Sequence, residues 1–302
     1  MEIKKVAHLK GHAAGIFALE QGIAPELIFS GSSDKILAEW SLESFSSQKF
    51  SVKTESYIYS ICHVPEKKLL LIGLYSGAIH IIDLKEKKEI KFFNYHEQPV
   101  FDIKFCAASN CFYVLSGDGS FSIWDSEKFV LRNHFILCKE KLRNIDFSND
   151  RTLAAIACGD GMIRIFETST YKKIREIKSH GLSANCVKFA PDNNTLVSGG
   201  RDAFLRFWDV HDGFKMIREI PAHNYAIYSI AFSPNGKLFA TASRDKTAKI
   251  WDAQSYEIIA RLDRKNFEGH THSVNKLLWS SFNNYLITAS DDRTMIVWEV
   301  IH

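Results

Sequence analysis

The sequence has little that would direct it to a membrane or to a strongly charged partner. None of its 302 residues belongs to an apolar run approaching the roughly 20 residues that span a bilayer. The formal net charge is only +3 and no block of like charges occurs, so neither a nucleic acid nor an anionic membrane is favoured as the main partner. The segment from Met1 to Val6 lacks the apolar stretch of a secretory signal, and we therefore expect a cytoplasmic protein.

Motifs of the common enzyme and metal-binding classes are also missing. The chain has no G-x-G-x-x-G, P-loop, H-E-x-x-H or G-x-S-x-G motif. Its 6 cysteines form no C-x-x-C pair and mostly lie in apolar runs such as Leu153 to Cys158, which predicts small buried side chains in a reducing compartment. His270 and His272 have a spacing that a metal could use, but His270 occupies a repeated position described below. We expect no catalytic residue, no metal and no cofactor.

The chain does contain a repeat of about 42 residues. An aromatic residue or isoleucine recurs six residues after an acidic or small residue, and successive occurrences are 42, 42, 42, 42, 43 and 47 residues apart. These residues are Trp40, Ile82, Trp124, Phe166, Trp208, Trp251 and Trp298. A histidine keeps the same phase in five units, and Thr54 and Cys138 take its place in the other two. The sequence is thus built from seven similar units.

Each unit has the pattern of four short strands. In the sixth unit, β-rich segments at Ile227 to Phe232, Lys237 to Ser243, Thr247 to Trp251 and Glu257 to Leu262 are separated by polar turns. Such a small sheet cannot bury both faces alone, so neighbouring sheets must stack around an axis. The sequence predicts one all-β domain over residues 1–302, a single seven-bladed β-propeller of four-stranded antiparallel blades. The expected blades are approximately 13–54, 55–96, 97–138, 139–180, 181–223, 224–270, and 271–302 with 1–12.

These repeats resemble the WD-repeat β-propeller family. Gly11-His12 and Gly269-His270 match its Gly-His element, and its Trp-Asp element is matched at Trp124-Asp125, Trp208-Asp209 and Trp251-Asp252. The resemblance extends over essentially residues 3 to 301. It is specific for the fold, whereas propellers carry many unrelated functions.

Four repeats carry a histidine, a hydroxyl residue, an aspartate and a tryptophan in fixed phase. The sets are His12, Ser30, Asp34 and Trp40; His180, Ser198, Asp202 and Trp208; His223, Thr241, Asp245 and Trp251; and His270, Thr288, Asp292 and Trp298. A catalytic triad uses the same residue types, but an enzyme has little use for four copies. The family resemblance implies a structural network instead, running from Asp to His, from His to the hydroxyl, and from the hydroxyl to the indole N–H.

Repeats two, three and four depart from this pattern. Ile72, Val114 and Ile156 stand where the hydroxyl residue would be, although repeat three keeps His96, Asp118 and Trp124. Repeat four has Cys138 in place of the histidine and Phe166 in place of the tryptophan. We therefore expect these three blades to depend more on hydrophobic burial and to be the less rigid part of the ring.

The ends of the chain predict how the ring closes. Residues 3 to 9 precede the first Gly-His element, where the corresponding segment of other units forms the outermost strand of the previous blade. The last unit ends just after its third strand. We expect residues 3 to 9 to pair with the strand from Thr294 to Val300, so that the N-terminal strand closes the ring against the C-terminal blade.

The most favoured function is a non-catalytic scaffold that binds a peptide or protein segment on the top face of the propeller. In the WD-repeat family, positions three and five residues after the histidine, and the position before the turn aspartate, line that face. The predicted partner-binding residues are Phe17, Tyr57, Tyr59, Tyr75, Phe101, Lys141, Arg143, Arg201, Tyr228 and Arg244. Asn185 and Asn275 occupy the same offset, and the long connection at residues 263–268 is expected over the same side. Aromatic residues and arginine predominate at binding hot spots, and here they indicate a ligand with apolar and acidic residues.

Two other functions stay open. A propeller enzyme or small-ligand binder would use the central channel and would need acid–base groups on the innermost strands, which are sparse at Ile16 to Leu19, Ile58 to Ile61 and Val187 to Phe189. A nucleic-acid binder would use Lys141 and Arg143 with the other basic residues of the top face, but the nearly neutral chain disfavours it. The sequence does not identify the partner or the residues that carry the binding energy.

Overall fold

Short strands joined by tight turns make up almost the whole chain. The computed structural model describes residues 1–301, so the predicted last blade reaches one residue, His302, that lies outside the described residues. In chain order the strands are β1 Glu2–Lys10, β2 Ile16–Gln21, β3 Leu27–Ser32, β4 Ile36–Ser41, β5 Ser46–Lys53, β6 Ile58–Val64, β7 Leu69–Leu74, β8 Ala78–Asp83, β9 Lys88–Asn94, β10 Val100–Cys106, β11 Cys111–Ser116, β12 Ser120–Asp125, β13 Leu131–Ile136, β14 Leu142–Phe147, β15 Leu153–Cys158, β16 Met162–Glu167, β17 Lys173–Lys178, β18 Ala184–Phe189, β19 Thr195–Gly200, β20 Phe204–Asp209, β21 Lys215–Pro221, β22 Ile227–Phe232, β23 Leu238–Ser243, β24 Ala248–Asp252, β25 Ile258–Leu262, β26 Val274–Trp279, β27 Tyr285–Ser290 and β28 Thr294–Ile301. One helical turn, α1, spans Arg264–Phe267, and 3-10 turns lie at Pro65–Lys67 and Phe282–Asn284.

The strands form seven sheets of four strands each. Blade one is β2-β3-β4-β5, blade two β6-β7-β8-β9, blade three β10-β11-β12-β13, blade four β14-β15-β16-β17, blade five β18-β19-β20-β21, blade six β22-β23-β24-β25 and blade seven β1-β28-β27-β26. The fold is the predicted all-β, seven-bladed β-propeller of four-stranded antiparallel blades. Within residues 1–301 no helix has the length and apolar character that a bilayer crossing requires.

Backbone contacts divide the described chain into two compact units. The first contains Met1–Leu70 together with the segment from Tyr228 onward, and the second contains Leu71–Ile227. In both units the middle strands of the blades are buried, as in β11 and β27, where every residue is buried. The outer strands are largely exposed, as in β9 and β17. This difference follows from composition, because near-continuous apolar runs suit strands covered on both faces whereas charged runs suit a solvated edge.

The N-terminal strand completes blade seven within the first unit. β1 pairs antiparallel with β28 from Glu2 opposite Ile301 to Lys10 opposite Thr294, and the register shifts between Lys5 and Ala7. The predicted pairing of residues 3 to 9 with the strand from Thr294 to Val300 is therefore confirmed. Pairing by β1 removes the open edge that β28 would otherwise present to other chains.

The long connection between blades six and seven folds into α1 and its flanking residues. The Asp263 side chain accepts a hydrogen bond from the Asn266 backbone N–H at 2.8 Å and caps the turn. The Phe267 ring meets Trp298 edge-on, with 6.3 Å between the ring centroids, and Lys5 forms a 2.9 Å ion pair with Glu268. This connection therefore packs against blade seven, and its predicted place over the binding face stays a prediction.

Candidate functional site

The predicted His-Asp-hydroxyl-Trp network is present in blade one. His12 Nδ1 lies 2.8 Å from Asp34 Oδ2, and His12 Nε2 lies 2.7 Å from Ser30 Oγ. The Trp40 indole N–H donates to the same Ser30 Oγ at 2.7 Å. In blade five, His180 lies 2.9 Å from Asp202 and 3.0 Å from Ser198, and Trp208 donates to Ser198 at 3.0 Å. In blade seven, His270 lies 2.8 Å from both Asp292 and Thr288, and Trp298 donates to Thr288 at 3.0 Å. In blade six, Trp251 donates to Thr241 at 3.0 Å.

Charge and burial show why these groups support the fold rather than form a nucleophile. Burial lowers the pKa of His180, which favours the neutral ring. Burial alone would raise the pKa of Asp202, but hydrogen bonds from His180 and Arg206 hold it well below its usual range. The neutral ring donates from Nδ1 to the Asp202 carboxylate, and its Nε2 accepts a hydrogen bond from the Ser198 hydroxyl. Ser198 is fully buried and accepts a hydrogen bond from the Trp208 indole N–H.

Blade three contains a complete network, which contradicts the expectation drawn from Val114. Ser122 supplies the hydroxyl: His96 Nε2 and the Trp124 indole nitrogen each lie 2.8 Å from Ser122 Oγ. Val114 and Ser122 are direct cross-strand partners of β11 and β12, so the hydroxyl reaches the same place from the neighbouring strand. The expectation that blade three lacks the hydroxyl of the network was therefore wrong.

Blade four replaces the network with ion pairs of a buried arginine. Arg164, the cross-strand partner of Ile156, is buried and donates to both carboxylate oxygens of Asp160, at 3.1 and 2.7 Å. Its Nε also donates to Glu176 at 3.2 Å. Blade four is thus also more polar than its sequence suggested, whereas Ile72 and Ile82 of blade two are buried apolar residues as expected.

Polar side chains of the first strands link successive blades, and sequence inspection missed them. In the second unit, an Asp102 carboxylate oxygen accepts from the Ile145 backbone N–H at 3.0 Å, and Asn144 Oδ1 accepts from the Val187 N–H at 2.9 Å. In the first unit, Ser229 Oγ accepts from the Leu277 N–H at 3.2 Å. Each acceptor lies six residues after the histidine position and each donor seven residues after the next one. The first strand of a sheet has one open edge, and these side chains satisfy N–H groups on that edge.

A second buried carboxylate follows the same principle. Asp146 accepts a hydrogen bond from the Phe189 backbone N–H at 2.9 Å and pairs with Lys188 Nζ at 2.7 Å. Asp102 and Asp146 are the acidic groups that the channel hypothesis required on first strands. Their oxygens are engaged by neighbouring strands, so they hold blades together.

In the second unit, Phe101 is the centre of a cluster of predicted binding residues. The Arg143 guanidinium carbon lies 4.9 Å from the centroid of the Phe101 ring, and Lys141 Nζ lies 5.8 Å from it. Gly117, just before the turn aspartate, leaves room for the ring, because a Cβ there would lie 3.1 Å from Phe101 Cε2. Lys141 is exposed, and Phe101 and Arg143 are half-buried. Tyr75 and Arg201 are also exposed in this unit.

In the first unit, Phe17 and Tyr59 are stacked. Their ring centroids are 5.0 Å apart and their planes differ by 4°, so the first strands of blades one and two meet through aromatic faces. Tyr57 and Tyr228 are 43% and 36% exposed, and Arg244 is exposed.

Two other residues at the predicted binding offset bind the backbone of the protein itself. The Asn185 amide donates to Ile227 O at 3.0 Å, and the Asn275 amide donates to Ile16 O at 3.1 Å. Their amide groups contribute to structure at the positions where blades one to four place aromatic or basic side chains.

The cysteines are unpaired, and five of the six are buried. Among residues 1–301, one group has the composition of a metal site: the Cys138 and Cys158 sulfurs and an Asp160 carboxylate oxygen lie within 4.8 Å of one another. The Asp160 carboxylate forms an ion pair with the Arg164 guanidinium, whose positive charge would repel a metal cation at this point.

Comparison with known proteins agrees with the repeat pattern. Residues 87–125, 171–209, 214–252 and 263–299 match the WD domain, G-beta repeat family and together cover about half of the chain. Nuclear distribution protein nudF of Aspergillus flavus is 33% identical over 102 residues, 33% of this chain and 22% of that protein. The WD repeat-containing protein 91 homolog of Dictyostelium discoideum is 28% identical over 191 residues, 61% of this chain and 25% of that protein. Guanine nucleotide-binding protein subunit beta-like protein 1 of Mus musculus is 24% identical over 148 residues, 48% of this chain and 45% of that protein. The match thus spans less than half the length of each of these relatives.

Proposed function

The chain belongs to the WD-repeat β-propeller family, and on that premise we propose that it is a non-catalytic scaffold that binds a peptide or protein segment. WD-repeat relatives support protein interaction in general. We further propose that it acts in the cytoplasm and that the ten residues predicted from the sequence contribute to binding.

The cluster of Phe101, Lys141 and Arg143 carries the proposal. The Phe101 ring holds the Arg143 guanidinium against its face, which places positive charge beside apolar surface. The ring supplies apolar surface beside two cations, so the fitting ligand is a segment with acidic residues next to apolar ones. In the first unit, the stacked Phe17 and Tyr59 offer a second aromatic surface suited to apolar side chains.

The residues that suggest catalysis have structural partners instead. Ser30, Ser198 and Thr288 are buried and hydrogen-bonded by an indole N–H. Asp102 and Asp146 hold backbone N–H groups of neighbouring strands. These contacts favour the scaffold over the channel enzyme.

Selection from a displayed random-peptide library tests the proposal. Peptides selected on the wild-type protein should be enriched in acidic residues beside apolar ones, and Lys141→Glu combined with Arg143→Glu should abolish their binding. Arg151→Glu is the matched control, since the Arg151 guanidinium also lies over a phenylalanine, 5.9 Å from the Phe147 ring, but beyond the opposite end of β14. The control should bind normally.

Other outcomes would refute the assignment. Equal binding by the double variant, or loss of binding in Arg151→Glu alone, would show that the surface is elsewhere. Phe17→Ala and Tyr59→Ala test the first unit in the same way, with Lys237→Glu as the control. Salt-dependent binding of RNA or DNA that the double variant loses, without any selected peptide, would favour the nucleic-acid alternative.

A further inference from the structure

Blade four has two neighbouring thiols, one of them at the position where five repeats carry the network histidine. Cys138 takes the place of the histidine, and Cys158 ends β15 two residues before the turn residue Asp160. The two sulfurs lie within 4.8 Å of each other. A disulfide bond is about 2.05 Å long, so the two sulfurs must approach each other by less than about 3 Å.

The two thiols differ in exposure and in ionisation. Cys138 is half-buried and follows the end of β13 in a connecting segment, whereas Cys158 is fully buried within a strand. A hydrogen bond with Cys158 lowers the pKa of Cys138, while the same bond and burial raise the pKa of Cys158. The accessible thiol is therefore the one that ionises more readily, and the buried thiol is positioned to react with it second.

We propose that Cys138 and Cys158 form an oxidation site that closes to an intramolecular disulfide in the presence of hydrogen peroxide. The Cys138 thiolate attacks one peroxide oxygen, the O–O bond breaks, and hydroxide leaves and is protonated to water. Cys138 is then a sulfenic acid. The Cys158 sulfur attacks the Cys138 sulfur, the S–O bond breaks, and the thiol proton leaves with the hydroxyl as water. Two thiols are oxidised and one peroxide is reduced to two waters.

The surroundings favour thiol oxidation over binding of a metal cation. Arg164 donates two hydrogen bonds to Asp160, so the third potential ligand is already neutralised by a fixed positive charge. The same guanidinium lowers the pKa of both thiols, and at Cys138 the Asp160 carboxylate opposes it more strongly.

Peptide mapping of the peroxide-treated protein tests the proposal. The Cys138–Cys158 linked peptide should form before the other four cysteines react. Cys158→Ser should stop at a sulfenic acid on Cys138 that dimedone traps, and Cys138→Ser should leave Cys158 reduced. Cys106 and Cys111 provide an internal control, because they are direct cross-strand partners but are both fully buried.

Three results would overturn the proposal. One is a Cys106–Cys111 link that forms first, and another is an unchanged rate of thiol loss in a Cys138→Ser variant whose melting curve matches the wild type. The third is stoichiometric zinc that protects Cys138 and Cys158 from alkylation until a chelator removes it, which would make the group a metal site. If the serine variant unfolds, Cys138→Ala serves the same comparison.

Discussion

Ser122→Ala should destabilise the protein through two groups left without partners in blade three. The substitution removes the hydroxyl that joins His96 to Trp124, and Ser122 itself is fully buried. A buried polar group without a partner costs about 1–3 kcal/mol, so we expect a loss of about 2–4 kcal/mol. With an unfolding entropy of about 2.1 cal/mol/K per residue, this lowers the Tm of a 302-residue chain by about 3–6 °C.

Moving the hydroxyl across the strand pair tests the explanation. Val114→Ser combined with Ser122→Ala recreates the arrangement of blade one, where Ser30 faces Ala38 in the same register. In urea denaturation, the double variant should be more stable than the sum of the single effects by at least about 1 kcal/mol. Strict additivity, or a Ser122→Ala variant as stable as the wild type, would refute the role assigned to this hydroxyl.

Three further predictions concern closure, charge and acid. Removing residues 1–10 should lower the Tm sharply and promote aggregation seen by light scattering, because β28 becomes an open edge; a stable, monodisperse product would refute the closure. Arg164→Met should lower the free energy of unfolding by at least about 2 kcal/mol in chemical denaturation, a figure reduced to allow for the partial exposure of Asp160 and Glu176. Arg175→Met, at an exposed residue, is the control and should change it little, and equal effects would contradict a structural role for the Arg164 ion pairs. Because the pKa of His180 is lowered in the folded protein, its contribution to stability is present above pH 6.5 and is lost as the pH falls below that value. The lowered pKa of Asp202 adds a second loss of stability below about pH 3.8. A Tm that does not change from pH 7 to pH 5, or a pH dependence of Tm that His180→Gln leaves unchanged, would contradict the role of His180.

The sequence predicted the fold because the repeat spacing and strand patterns are local signals. The histidine and the turn aspartate are 22 residues apart in each network described, so their pairing was visible along the chain. Ser122 and Arg164 were missed because their roles come from cross-strand register, which places two residues of different strands at one point in space. A sequence motif assigns the hydroxyl to one position of one strand, so it does not detect a polar side chain that reaches the same place from the neighbouring strand.

The first-strand bonds were missed for a related reason. Ile16 to Leu19 and similar segments indicated first strands with few acidic groups, whereas the first strands of blades three and four contain Asp102 and Asp146. Their partners are backbone N–H groups in the next blade, about one repeat further along the chain. The ten binding residues were predicted from their phase in the repeat, which places a side chain on a face of the blade and does not identify its partner.

The first-strand bonds also join successive blades in one order along the chain. Asp102, Asn144 and Ser229 are acceptors on one blade, and the amides of Ile145, Val187 and Leu277 are the donors on the next. In a repeat protein stability depends on nearest-neighbour contacts, so loss of such an acceptor weakens the interface between its own blade and the next one. Amide hydrogen exchange can follow this contact from the neighbouring blade: loss of the Asp102 carboxylate should accelerate exchange at the Ile145 amide, which donates to it.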